Sequence, residues 1–177
     1  MYEKLPIPPL AADPVRPGRL YGGAQHGGLV ISDDRGETWS PTPVETFNFV
    51  AVNPAYPQSL YSGRRGSYDP GTGRPLPEFL WRSADGGRTW AQSRLAHPLS
   101  SVDADPRSPL GLYATSQDTL WHSADGGDTW QSFSTGLGGL DVHALAVDGY
   151  GPTKPKRLYA WVADKGLYRI LGDLTEW

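Results

Sequence analysis

Carboxylates and arginines are the reactive groups of this chain of 177 residues, and both are distributed unevenly. Acids recur in three octets of the form S-x-D-x-G-x-x-W: SDDRGETW from Ser32 to Trp39, SADGGRTW from Ser83 to Trp90, and SADGGDTW from Ser123 to Trp130. The segments SDDRG and SADGG look like the start of a calcium loop, but they lack the further spaced oxygen ligands and closing Glu that such a loop needs. Arginines gather in RRGSYDPGTGRPLP, from Arg64 to Pro77. There Arg64, Arg65 and Arg74 could clasp an anion or carboxylate, with Tyr68 as a stacking face, because a guanidinium forks onto two oxygens. The same stretch also reads as a solvated surface loop rich in Gly and Pro. His26, His97, His122 and His143 share no i, i+2 or i, i+4 spacing, so no metal site is expected. The chain has no cysteine, which removes disulfides, zinc-thiolate sites and thiol nucleophiles, and no cofactor is expected.

Repeats hold these groups in place. An Asp/Asn-Pro step and then a Leu-Tyr pair precede each octet: Asp13-Pro14 with Leu20-Tyr21, Asn53-Pro54 with Leu60-Tyr61, and Asp105-Pro106 with Leu112-Tyr113. A fourth pair is Leu158-Tyr159, and the steps between pairs are 40, 52 and 46 residues. That length suits a four-stranded propeller blade. The fourth octet is worn, for LYRILGDLTEW aligns with LWRSADGGRTW but carries Ile170 and Gly172 where Ser and Asp would stand. The expected fold is therefore all-β, a single β-propeller domain over 1–177 with four four-stranded blades, approximately 9–45, 46–98, 99–140 and 141–177 plus 1–6. Such a unit is also compatible with half of an eight-bladed ring or a fragment of a larger propeller.

Within a repeat, FNFVAVNP, SLYSG, EFLWRS and TWAQSRL read as strands A to D, with the octet at the turn between C and D. Its residues suit a self-satisfied turn. Asp34, Asp85 and Asp125 can accept backbone N–H groups, Gly36, Gly87 and Gly127 can take a positive φ, and Ser32, Ser83 and Ser123 can add a local hydrogen bond. Trp39, Trp90 and Trp130 are then expected to cover the hairpin, each donating its indole N–H to a carbonyl and giving its blade a small apolar plug. The octets are accordingly read as structural.

Alternation of turns puts the A–B and C–D turns on one face and leaves the opposite face to the B–C and D–A loops. Rigidly held loops are where binding residues accumulate. On that face the sequence places Gln25 and His26, the Arg64 to Pro77 loop, Gln117 and Asp118, and Trp161 through Lys165 with Asp164. Trp161 and Tyr68 would supply contact area, and Arg64 and Arg65 orientation. A glycosidase needs two carboxylates about 5 to 10 Å apart across a cleft. Asp118 and Asp164 form the best pair by loop position, and each is equally well explained as a turn former.

The octet resembles the Asp-box, or bacterial neuraminidase repeat, and the wider pattern L-W-R-S-A-D-G-G-x-T-W is similar to repeats of photosystem II assembly-factor-like propellers, sortilin-type receptors and some secreted glycoside hydrolases. The resemblance spans about Leu10 to Trp177. It implies a propeller whose boxes lie on the blade periphery, away from any active site. A sialidase of this kind would need an arginine triad, a Tyr-Glu pair and an acid Asp, whereas Glu is scarce here: Glu3, Glu37, Glu45, Glu78 and Glu176. Xyloglucanase-like enzymes with such repeats place their cleft between two large propellers, of which this chain would supply a part.

Net charge is −3, which offers no broad attraction to nucleic acid or to an anionic membrane. No apolar run approaches the roughly 20 residues of a membrane helix, and MYEKLPIPPL lacks the basic and apolar regions of a secretory signal. The compartment is left open. Tyr2 to Leu5 are expected to complete the outer strand of the blade formed by Val142 to Trp177, within one molecule or across a head-to-tail homodimer. The functional expectation is a non-catalytic module that binds a protein segment or glycan, with a glycoside hydrolase, sialidase-like or xyloglucanase-like, or a fragment of one, as the alternative.

Overall fold

Each Leu-Tyr pair points its two side chains to opposite faces of one strand; in the second and third blades both are buried, while Leu20 of the first and Tyr159 of the fourth are partly exposed. The structure is a computed structural model that describes residues 11–24, 28–45, 49–63, 71, 79–95, 99, 101–116, 119–133, 142–148 and 157–170, and none of these is helical. The first blade comprises β1 (Ala11–Ala12), β2 (Leu20–Gly23), β3 (Leu29–Ser32) and β4 (Ser40–Pro41). The second holds β5 (Phe49–Val52), β6 (Leu60–Gly63), β7 (Phe79–Ser83) and β8 (Ala91–Arg94). The third holds β9 (Ser101–Ala104), β10 (Leu112–Ser116), β11 (Thr119–Ser123) and β12 (Gln131–Phe133). The fourth shows β13 (Val142–Asp148), β14 (Arg157–Val162) and β15 (Gly166–Ile170), three strands among the described residues.

All pairings are antiparallel between strands adjacent in sequence, so each blade is a meander. β1 packs on β5, β5 on β9 and β9 on β13, which makes the first strand of every blade the innermost. The four sheets thus follow one another around a common axis as a four-bladed β-propeller. The residues proposed to finish the outer strand of the last blade, Tyr2 to Leu5, lie outside the described residues.

The core lies between blades. Leu60 joins Tyr21, Leu29, Ile31 and Val44 of the first blade, while its neighbour Tyr61 joins Leu80, Val102, Ala104 and Leu112 at the junction with the third. One residue further along β10 the pattern repeats, with Tyr113 turned toward Leu145, Leu158, Ala160 and Val162 of the fourth blade. A strand of period two with two apolar faces is the form a sheet takes when it is covered on both sides. Leu60, Leu80, Leu112 and Leu158 are fully buried as a result.

Polar turns lock the same junctions. The side chains of Asp13 and Asn53 each accept two backbone N–H groups just downstream, and Asp105 accepts that of Arg107, so the Asp/Asn-Pro steps are Asx turns. Asn53 alone has an amide to give. Its Nδ2 donates to the carbonyls of Asp105 at 2.9 Å and Ser108 at 2.8 Å, across the second and third blades.

Candidate functional site

The three octets adopt one geometry. In the first, Ser32 Oγ donates to Asp34 Oδ1 at 2.7 Å and accepts the Gly36 N–H at 2.8 Å, and Asp34 accepts the N–H of Thr38 at 2.9 Å and its hydroxyl. The indole of Trp39 donates to the Gly36 carbonyl at 3.0 Å. Ser83, Asp85, Gly87, Thr89 and Trp90 repeat these bonds, as do Ser123, Asp125, Gly127, Thr129 and Trp130. Thr38, Thr89 and Thr129 are thus working members of the turn that the octet pattern leaves unassigned, although the same residue type stands at that place in every copy.

These bonds fix the charge state. The Thr38 hydroxyl and N–H, with Ser32, hold Asp34 at about 2, and Thr89 holds Asp85 well below the ordinary carboxylate range. Burial pushes Asp125 up, but the Thr129 and Ser123 hydrogen bonds outweigh it and bring the group to about 2. A general acid must carry a proton near neutral pH. The octet carboxylates are therefore anions committed to their own turns.

The turns also reach across blades, which differs from the expectation of a plug private to each blade. Trp90 packs on the cluster shared by the first two blades and Trp130 on that shared by the next two. Arg19, on the first blade, donates Nη2 to the carbonyl of Gly86 in the second octet, and its Nη1 pairs with Asp33. Arg82 of the second blade pairs with Asp128 of the third octet at 2.8 Å and also reaches the Asp125 carbonyl. The physical reason is that a single sheet has no interior of its own, so its aromatic and glycine surfaces pack on the neighbouring sheet. Arg19 and Arg82 escaped the sequence reading. The signal available was the Arg before Ser83, which recurs as Arg169 in the worn copy.

At this second junction a cleft of about 520 Å³ opens, lined by Tyr61, Arg82, Trp90, Leu110, Asp125 and Asp128 among others. Its one guanidinium is neutralised by Asp128, which also accepts the Ser93 hydroxyl at 3.0 Å. The lining offers an aromatic and aliphatic wall with a charge-paired rim, a surface for contact rather than for proton transfer. One carboxyl among the described residues is shifted the other way: burial raises Asp103 on the inner strand β9, where it accepts the Val147 N–H of the fourth blade at 2.7 Å. No cluster of three or more metal-ligating side chains occurs among the described residues.

Of the residues that the sequence assigns to the opposite face, Arg64, Arg65, Tyr68, Arg74, His26 and Asp118 lie outside the described residues. Trp161 lies within β14 rather than in the loop after it, and is half exposed. Asp164 sits in the turn between β14 and β15 with φ of 56°, exposed to solvent. His122 is buried, its ring 4.8 Å from that of Tyr113.

A family model, the BNR/Asp-box repeat, matches residues 30–41. A probable oligoxyloglucan-reducing end-specific xyloglucanase from Neosartorya fischeri is 30% identical over 91 residues, covering 46% of this chain and 10% of that protein. The crystal structure of the GH74 xyloglucanase from Xanthomonas campestris superposes with a TM-score of 0.71 at 20% identity, covering 91% of this chain and 28% of that one. A structure of YCF48 bound to D1 peptide superposes with a TM-score of 0.52 at 14% identity, covering 92% of this chain and 62% of that one. The chain therefore spans about a tenth of the curated relative and less than two thirds of either solved neighbour.

Proposed function

We propose that this chain is a non-catalytic binding module for a protein segment, seated on the face opposite the octets. The observation that carries the reading is the commitment of the octet carboxylates: held ionised and saturated by their own Ser and Thr partners, they do architecture. Recognition then falls to the loops at the other end of the strands, where the sequence places Arg64, Arg65, Tyr68 and Arg74 and where Trp161 leaves half its surface open. Arginines in such a loop select carboxylates, and aromatic rings give contact area at low entropic cost. His26, Asp118 and Asp164 would add polar contacts on the same face. The likeness to a propeller solved with a bound peptide supports a protein ligand, at the level of fold.

An array of immobilised peptides, graded in Asp and Glu content, tests this. Binding should favour the acidic members and weaken by about tenfold, roughly 1.4 kcal/mol, when Arg64 and Arg65 are both replaced by Ala. Release of reducing ends from xyloglucan by the purified chain would overturn the non-catalytic reading.

A second reading, in which the ligand is a glycan and the chain is part of a glycoside hydrolase, is favoured by the likeness to two xyloglucanases. Titration with xyloglucan oligosaccharides separates the two, because a glycan site would bind them without regard to the acidity of competing peptides.

A further inference from the structure

The junction of the second and third blades is built from a set of complementary parts, and the fourth and first blades each carry one half of a corresponding set with no partner among the described residues. At the junction of the second and third blades, Leu80 fills the space over Gly127, so that a Cβ added there would overlap the Leu80 side chain. Arg82 pairs with Asp128 in the same octet, and Tyr61 donates its hydroxyl to the carbonyl of Pro109 at 2.9 Å.

Strand register maps these parts onto the last blade. Leu60, Tyr61, Arg82 and Leu80 correspond to Leu158, Tyr159, Arg169 and Leu167, since Leu158 pairs Ile170 as Leu60 pairs Ser83. Yet Leu80 is fully buried while Leu167 is 68% exposed, and Arg169 is exposed with no ion-pair partner among the described residues.

The first octet shows the matching hollow. Gly87 and Gly127 are buried under Ile31 and Leu80 of the preceding blade, whereas Gly36 is only half-buried and meets side chains of its own blade, Trp39 and Leu20. Glu37 stands where Asp128 stands in the third octet, and it is exposed. Pro17 occupies the place of Pro109, three residues before the Leu-Tyr pair. Arg35, the cation nearest to Glu37 in sequence, runs along its own blade, its Cγ 3.1 Å from where a Cβ on Gly18 would be.

We propose that the fourth blade of one copy docks on the first blade of a second copy, Leu167 over Gly36 and Arg169 paired with Glu37, in the manner of Leu80 and Arg82 on the third octet. The occupant is set by complementarity of charge and shape: the flank presents a leucine knob and a cation, and the first octet presents a glycine hollow and an anion in the same relative order. Made twice, the contact joins two copies head to tail.

Native mass spectrometry and sedimentation equilibrium of the intact chain test this. The wild type should show a species of twice 19.3 kDa that dissociates on dilution. Arg169→Glu and Glu37→Arg should each weaken it at least about tenfold, since each places like charges at both contacts. Mixing the two variants pairs opposite charges at both contacts, one as in the wild type and one with the charges exchanged, and the double variant carrying both changes pairs opposite charges at every contact, so the dimer should reappear in both cases. Circular dichroism checks that the variants keep the fold, as expected for exposed side chains. A mass of 19.3 kDa at every concentration, as would follow if a different chain covers this flank or the ring closes within one molecule, overturns the proposal. So does a double variant that associates no better than the single ones.

Discussion

Asn53 differs from Asp13 and Asp105 by a single amide, and that amide holds two carbonyls of the next blade while Oδ1 makes the local turn. Asn53→Asp would keep the turn but replace two donated hydrogen bonds by a buried anion facing two carbonyl oxygens. A loss of about 3 kcal/mol is expected, read from urea unfolding, because removing a buried donor leaves its acceptors unsatisfied. The octet aspartates make a separate prediction. Asp34 and Asp125 are lowered to about 2 from an ordinary 3.8, so their contribution is complete above about pH 4, where both folded and unfolded chains are ionised. Below that the unfolded chain takes up protons first, and the contribution falls away as pH drops through 2. Thermal unfolding followed from pH 6 to pH 2 should show this decline, and replacing Asp34, Asp85 and Asp125 by Asn should flatten it.

Among the elements, one turn serves three positions that differ in what lies above them. Gly36, Gly87 and Gly127 share a left-handed φ near 90°, so replacing any of them by Ala carries the backbone cost of about 1 kcal/mol. Only Gly87 and Gly127 also lie against a side chain of the preceding blade, Ile31 and Leu80, which leaves no room for an added methyl. Gly127→Ala should therefore cost about 2 kcal/mol more than Gly36→Ala, by overpacking against Leu80. Guanidine unfolding at low protein concentration measures the difference. Equal costs would mean that the blade junction relaxes freely, and the account of the octets as locks between blades would fail.

Across the molecule, the stabilising contacts run between blades, whereas the proposed recognition face is formed by loops at the strand ends opposite the octets. The apolar clusters, the Asx turns and the arginine locks lie between blades, so variants there report on unfolding. The sequence places Arg64 and Arg65 in a loop between strands, and their replacement by Ala should leave the melting temperature within about 1 °C while it weakens peptide binding. Head-to-tail pairing is a different matter from peptide recognition: it uses the flanks of the first and last blades, so either property can be lost without the other.

The architecture could be read in the residues because its signals are local. A Ser, an Asp, a Gly and a Trp at fixed spacing close a turn through bonds that span no more than four residues, and Leu-Tyr alternation announces a strand with two apolar faces. Those features are enough to specify an all-β chain of four blades. Which face of each strand meets which neighbour is settled only when the blades pack. Packing gave Arg19 and Arg82 their partners 67 and 43 residues away, and it left Leu167 bare where the equivalent Leu80 is covered. Local sequence cannot encode that difference, because burial depends on whether another blade stands alongside, and that is a property of position in the assembly.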